Sequence, residues 1–318
     1  MLLPVHRSTA VAGLVGLVLI VACILGAGGA RATAARPERA ATTARRQAKA
    51  TAAPSPAGRK AQARARPAPA ARPAAARAQL ALTAAIGPIS RDDDGQVAVA
   101  VDDLTTGADA AYSGAQEFVT ASIVKVDILS TLLYQAQQSG QPLLPEEQAL
   151  ATTMIENSND DAASDLYADA GSAEGLDQAN QAFGLSETTA GTDGAWGLTS
   201  TTVADQIRLL RLVFTRPSVL TSQSQDYIQD LMSQVEADQE WGVPAAADDG
   251  TPFMVKDGWL PSGTTGLWEI NSIGEVVHDG QRMLIAVLSE GNATEDSGIS
   301  LVQTVADAAA GAMATSTR

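Results

Sequence analysis

Beyond residue 78 the sequence holds only two lysines, Lys125 and Lys256, and one histidine, His278. Each lysine lies where a proton could be moved. Ser122 and Lys125 stand three apart in VTASIVKVDILSTLLYQAQQSGQP, a run that is apolar on nearly every face. Read as a helix, that spacing puts both side chains on one face within hydrogen-bond reach. Burial and the positive helix end would lower the lysine's pKa, and a neutral amine can take the serine proton. An ordinary helix with a snorkelling lysine has the same spacing, so the pair alone leaves both readings open. His278 borders the Asp279-Gly280 turn and reads as a solvated hairpin residue, which argues against a Ser-His-Asp triad. Cys23 is the sole cysteine, so an intrachain disulfide and cysteine-based metal sites are excluded, and neither a metal nor a cofactor is expected.

The elements that must hold these groups follow from periodicity. Thr120 is placed to cap the nucleophile's helix and Gly140 with Pro142 to end it, and its all-round apolar character predicts burial at the domain centre. Upstream, Leu80 to Ile86 is a short helix candidate, QVAVAVDDL a strand and AAYS its partner. Downstream, EEQALATTMIEN, DDAASDLYADA, AEGLDQANQAFG, TSTTVADQIRLLRLVF and SQSQDYIQDLMSQV read as helices. MVKDGW, LWEINSIGEVV and QRMLIAVLS read as strands, the last two joined at Asp279-Gly280, and ISLVQTVADAAAGAM as a closing helix. Strands, a block of helices, then an antiparallel set predict one α+β domain over residues 79–318. Its antiparallel sheet would contain both chain ends, with a helical block carrying the nucleophile.

Three short motifs in order narrow the chemistry. Ser122-Ile123-Val124-Lys125 opens the buried helix, Ser158-Asn159-Asp160 follows a short helix in MIENSNDDAA, and Lys256-Asp257-Gly258 sits on a strand. The series S-x-x-K, S-D-N, K-T-G marks penicillin-binding proteins and class A β-lactamases. From about Gln96 to Met313 the chain resembles these penicillin-recognising, class A β-lactamase-like serine hydrolases. The resemblance implies Ser122 as nucleophile, Lys125 as general base or proton relay, Ser158 as proton shuttle, and Lys256 as attractor of a substrate carboxylate that also steadies Ser158. It implies an oxyanion hole from the backbone N–H groups of Ser122 and Trp259, and substrate contacts from Asn159, Asp160, Asp257 and Gly258. The substrates implied are small β-lactams or acyl-D-Ala-D-Ala-type amides of peptidoglycan peptides.

The chain departs from the family pattern in three places. The second motif ends in Asp160, a carboxylate that when ionised only accepts hydrogen bonds, where the family has an amide. Asp257 replaces a hydroxyl residue, and would repel a substrate carboxylate or pair with Lys256. The segment SETTAGTDGAWGLTSTT offers only Glu187 and Asp193 where the family carries a deacylating glutamate in E-x-x-L-N. An acyl-enzyme is therefore expected to form and persist, with at most weak β-lactamase activity. A catalytically impaired protein of the same fold, binding a cell-envelope ligand, is the alternative. Trp196, Trp241 and Trp268 read as packing residues, and Trp259 as the aromatic at the cleft.

Composition divides the chain. Of its 36 acids only Glu38 precedes Gln79, whereas 13 of the 21 Lys and Arg do. Residues 79–318 thus carry 35 acids against 8 bases, a net charge of −27 that repels nucleic acid and anionic lipid. Residues 31–78 are rich in Ala, Pro and Arg and hold no apolar side chain larger than alanine, the composition of a disordered basic tether. Before it, Ser8 to Ala30 is uncharged and includes LVGLVLIVACIL, so residues 1–30 read as a signal peptide or membrane anchor. Ile20-Val21-Ala22-Cys23 resembles a lipobox, making Cys23 a lipidation candidate. Cleaved, lipidated and anchored forms all remain open; each makes the domain an exported, extracellular or cell-envelope protein, and a monomer is expected.

Overall fold

The computed structural model of the chain describes residues 71–93 and 95–316. The segment 1–30 with Cys23, and tether residues 31–70, lie outside the described residues. Chain order runs α1 (Ala71–Asp92), β1 (Gln96–Asp103), β2 (Asp109–Tyr112), β3 (Glu117–Val119), a 3-10 turn (Ala121–Ile123), α2 (Val124–Ser139), α3 (Pro145–Glu156), α4 (Asp160–Asp169) and α5 (Ser172–Phe183). It continues through β4 (Ser200–Thr202), α6 (Val203–Phe214), α7 (Ser222–Met232), β5 (Met254–Pro261), β6 (Trp268–His278), β7 (Gln281–Asn292) and α8 (Glu295–Ser316). Among the described residues no helix is long and apolar enough to cross a membrane.

The main sheet is antiparallel in the order β2-β1-β7-β6-β5, so strands from both chain ends meet in it, as expected. Helices cover both faces. On β7, Leu284, Ala286 and Leu288 face the α2–α7 block, while Met283, Ile285 and Val287 face α1 and α8. That double burial explains why QRMLIAVLS is a continuous apolar run rather than an alternating one.

Helix α1 is longer than the expected Leu80–Ile86 and begins within the stretch assigned to the tether. Alanine has the highest helix propensity, and Ala78, Leu82 and Ile86 recur every four residues as a buried stripe. The Gln79 side-chain amide donates to Ala111 O at 2.8 Å and accepts from Ala111 N at 3.3 Å, which covers the open edge of β2. A second, two-stranded sheet pairs β3 with β4, a link not expected from the sequence, where the residues of β4 were assigned to a helix. Thr202 is instead the N-cap of α6, accepting from Asp205 N at 3.2 Å.

Five residues after Ser122, α2 buries Asp127 completely. Its Oδ2 accepts from Asn180 Nδ2 at 3.0 Å, while Oδ1 has no partner. Burial first, then the charges of Asp177 and Asp205, push its pKa up to about 7 from an ordinary 3.8, against the lowering effect of the Asn180 bond. The fold therefore holds this carboxyl protonated where the unfolded chain has released it. Stability falls as pH rises from about 4 to about 7, by up to about 4 kcal/mol for three pKa units. Asp127→Asn should raise stability by about 2 kcal/mol or more at pH 8 and flatten that pH dependence, as measured by urea unfolding at pH 5 and pH 8. A variant no more stable than the parent at pH 8 contradicts this account.

Candidate active site

Strand β3 leads straight into Ser122. Ala121 has a φ of 47°, a left-handed conformation that turns the chain sharply before Ser122. Thr120 does not cap the helix as expected; its conformation is already helical and its side chain makes no cap bond. Its backbone instead anchors the turn: Thr120 N donates to Thr199 O at 2.9 Å. Buried Asn271 on β6 donates through Nδ2 to Val119 O (2.9 Å) and Thr120 O (3.0 Å), and accepts from Ser289 N (3.1 Å). This side chain ties the Ser122 turn to the main sheet. The signal available in the sequence was an amide inside the apolar run LWEINSIGEVV.

Gly258 completes the positioning. A β-carbon there would lie 2.7 Å from Ser122 N, 2.8 Å from Ile123 N and 2.9 Å from Thr120 O, so only glycine lets β5 run against the turn.

Lys125, fully buried in the first turn of α2, is the hub. Its Nζ lies 2.9 Å from Ser122 Oγ, 2.7 Å from Ser158 O, 3.0 Å from Ser158 Oγ and 2.7 Å from Asp160 Oδ1. The Ser158 carbonyl and the carboxylate can only accept, and together they use both N–H groups of a neutral amine. Its lone pair is then left for a hydroxyl, the arrangement in which Ser122 can give up its proton. Burial lowers the lysine's pKa, opposed by the hydrogen bond and charge of Asp160. The Trp196 ring, centred 4.9 Å from Nζ, also favours the charged form.

Ser158 connects the two lysines. Its φ of 52° aims the hydroxyl between them, and Lys256 Nζ donates to Ser158 Oγ and to Asp257 O, each at 3.1 Å. Lys256 is fully buried, and burial, then repulsion from Lys125, brings its pKa down to about 7. Expected to attract a substrate carboxylate, it sits behind Ser158 and can act on substrate only through that hydroxyl.

Two expected substrate contacts are placed elsewhere. Asn159 is the N-cap of α4, its Oδ1 accepting from Ala162 N at 2.8 Å, so its side-chain carbonyl is committed to the helix end, and the residue does not line the cleft over Ser122. Asp257 points to the sheet face opposite Lys256, as adjacent strand residues must. There it is buried with no well-formed hydrogen bond to either oxygen, and burial raises its pKa well above the carboxylate range, against the lowering influence of Ser272, the Lys256 charge and the Trp241 backbone. It neither meets the cleft nor pairs with Lys256 through its carboxyl.

A cleft of about 300 Å³ opens over Ser122, lined by Ala121, Asp160, Trp196, Leu198, Trp259 and Leu260 among others. Asp160 is the one ionisable side chain lining it. Trp196, read from the sequence as packing, is part of this wall; its Nε1 donates to Ser164 Oγ at 3.1 Å. Trp259 lines the cleft as expected, packed edge-on against Trp241 with ring centres 6.0 Å apart. Glu187 and Asp193 are exposed and do not line it. His278 lies apart, its Nδ1 2.7 Å from Ala246 O. Among the described residues no cluster of three or more His, Cys, Asp and Glu side chains is arranged to hold a metal ion.

The family model described as the β-lactamase enzyme family matches residues 81–147 and 144–313. "Putative lipoprotein LppW" of Mycobacterium tuberculosis and Mycobacterium bovis is 27% identical over 176 residues, 52% of this chain and 54% of that protein. The chain thus spans about half the length of the curated relatives it matches. A class A β-lactamase from Bacteroides cellulosilyticus shares the fold with a TM-score of 0.65 at 16% identity, over 75% of this chain and 99% of the other. PBP-A, in a form solved as an acyl-enzyme complex with penicillin G, gives 0.64 at 20%, over 74% and 97%. A family match running almost unbroken from residue 81 to residue 313, on a fold shared with class A β-lactamases, makes this chain a member of the β-lactamase enzyme family.

Proposed function

We propose that the domain is an exported serine hydrolase that forms an acyl-enzyme on Ser122 with β-lactam or acyl-D-Ala-D-Ala-type amides. The observation that carries this reading is the Ser122–Lys125–Ser158–Lys256 chain of contacts, every link 3.1 Å or shorter. Lys125 takes the Ser122 proton as Oγ bonds to the acyl carbon, and the resulting ammonium is stabilised by Asp160 and the Trp196 ring. The proton then passes through the Ser158 hydroxyl to the leaving nitrogen, with Lys256 holding that hydroxyl in place. Backbone N–H groups of Ser122 and Trp259 receive the developing oxyanion. The PBP-A structure with penicillin G bound as an acyl-enzyme supports the substrate class.

Incubating the purified protein with a reporter penicillin, and following intact mass over time with Ser122→Ala as control, tests the reading. A serine-dependent mass increase equal to the penicillin is the expected result. Neither adduct nor hydrolysed penicillin at any concentration overturns it and favours a ligand-binding module on the same fold. Export is proposed from the apolar segment 8–30 and supported by the lipoprotein name of the mycobacterial relatives. The mass of the mature N-terminus tests it, a diacylglyceryl group on Cys23 marking the lipidated form.

A further inference from the structure

The arrangement around Lys125 also supplies what the segment 186–202 does not, a group to activate water. Asp160 Oδ1 and Ser122 Oγ both lie within hydrogen-bond distance of the same Nζ, so the carboxylate and the nucleophile oxygen are no more than two hydrogen bonds apart. That separation admits one bridging water. Asp160 is 75% exposed, faces the cleft at the start of α4, and its Oδ2 has no partner among the described residues. The carboxylate is therefore held by one oxygen and open to solvent through the other, beside the carbon that an acyl group on Ser122 would present.

We propose that Asp160 is the general base of deacylation, so that the acyl-enzyme turns over rather than persists. The assignment rests on the acyl-enzyme reading of Ser122. Asp160 takes a proton from water while the water oxygen bonds to the acyl carbonyl carbon. The tetrahedral intermediate collapses with cleavage of the carbon–Oγ bond, and Oγ takes a proton from Lys125 as Lys125 takes the one held by Asp160. Asp160 is left ionised and Lys125 neutral, as in the starting enzyme, and the acid product departs. One water is consumed and neither residue is changed. The substitution of a carboxylate for an amide at the end of the second motif, which looks like decay in the sequence, thereby gains a chemical role.

The test compares the full-length protein with Asp160→Asn and Asp160→Glu, quenching a reaction with a chromogenic cephalosporin at intervals. Acylated fraction is read by intact mass and product by absorbance. The expected result is turnover in the parent and a fall in deacylation of about 10²-fold or more in Asp160→Asn, with a smaller fall in acylation. Asp160→Glu should recover part of the deacylation rate, and the pH dependence of deacylation should flatten in the asparagine variant alone. A residue that only positions Lys125 would slow acylation first and leave the deacylation pH profile intact, and that outcome overturns the assignment. A stable adduct on the parent also overturns it while leaving the acyl-enzyme reading standing. Absence of both a Ser122 adduct and product from the parent removes both.

Discussion

Lys125→Met should slow acylation of Ser122 by about 10²- to 10⁴-fold, the range set by loss of a positioned general base. Methionine fills the buried space without a polar atom that could take the proton, so the fold survives while the relay is cut. Lys125→Arg is the sharper control, because a guanidinium keeps the positive charge but does not deprotonate. If the lysine acts as a base, both variants lose acylation; if it acts only by its charge, arginine restores it. Parent acylation should also rise with pH and level off below the ordinary lysine pKa of 10.5, since burial favours the neutral amine. Stopped-flow acylation with a chromogenic cephalosporin reads all three. A methionine variant within tenfold of the parent rate would remove Lys125 from the chemistry.

Gly258→Ala should damage both stability and acylation, although it adds a single methyl group. The new carbon would meet three backbone atoms of the Ser122 turn, all closer than 3.0 Å. Neither side can yield cheaply. The Gly258 backbone is registered opposite Asn271, and the Asn271 amide grips Val119 O and Thr120 O on the turn itself. Forcing them apart costs about 1–3 kcal/mol as overpacking. It also displaces Ser122 N from the site where the oxyanion would form, and losing one such donor slows the reaction by about 10²- to 10³-fold. Urea unfolding and the acylation burst measure the two effects separately. An alanine variant as stable and as fast as the parent would show that β5 is not pressed against the turn.

These expectations depend on features the sequence carries unequally. Contacts between near neighbours were legible. Ser122 and Lys125 meet because three residues span about one helical turn, and Gly140 ends α2 in a left-handed conformation as its residue type suggested. The Asp279-Gly280 turn likewise has positive φ at both positions. Contacts that depend on strand parity were not legible. Asp257 sits beside Lys256 in sequence and on the far side of the sheet in space, because successive strand residues face opposite ways.

The same limit explains the cleft wall. Trp196 reaches Lys125 only because β3 and β4 pair, and two three-residue strands leave almost no periodic signal. Asn159 and Asp160 are adjacent, yet one caps a helix and the other enters the cleft, a division settled by how α4 starts. The sequence by itself determined the α+β class, the buried nucleophile helix and the order of the three motifs, because local periodicity and spacing encode them. Only the tertiary structure decided which carboxylate faces Ser122 and which is sealed beneath the sheet, because register and packing between residues far apart in the chain set those directions.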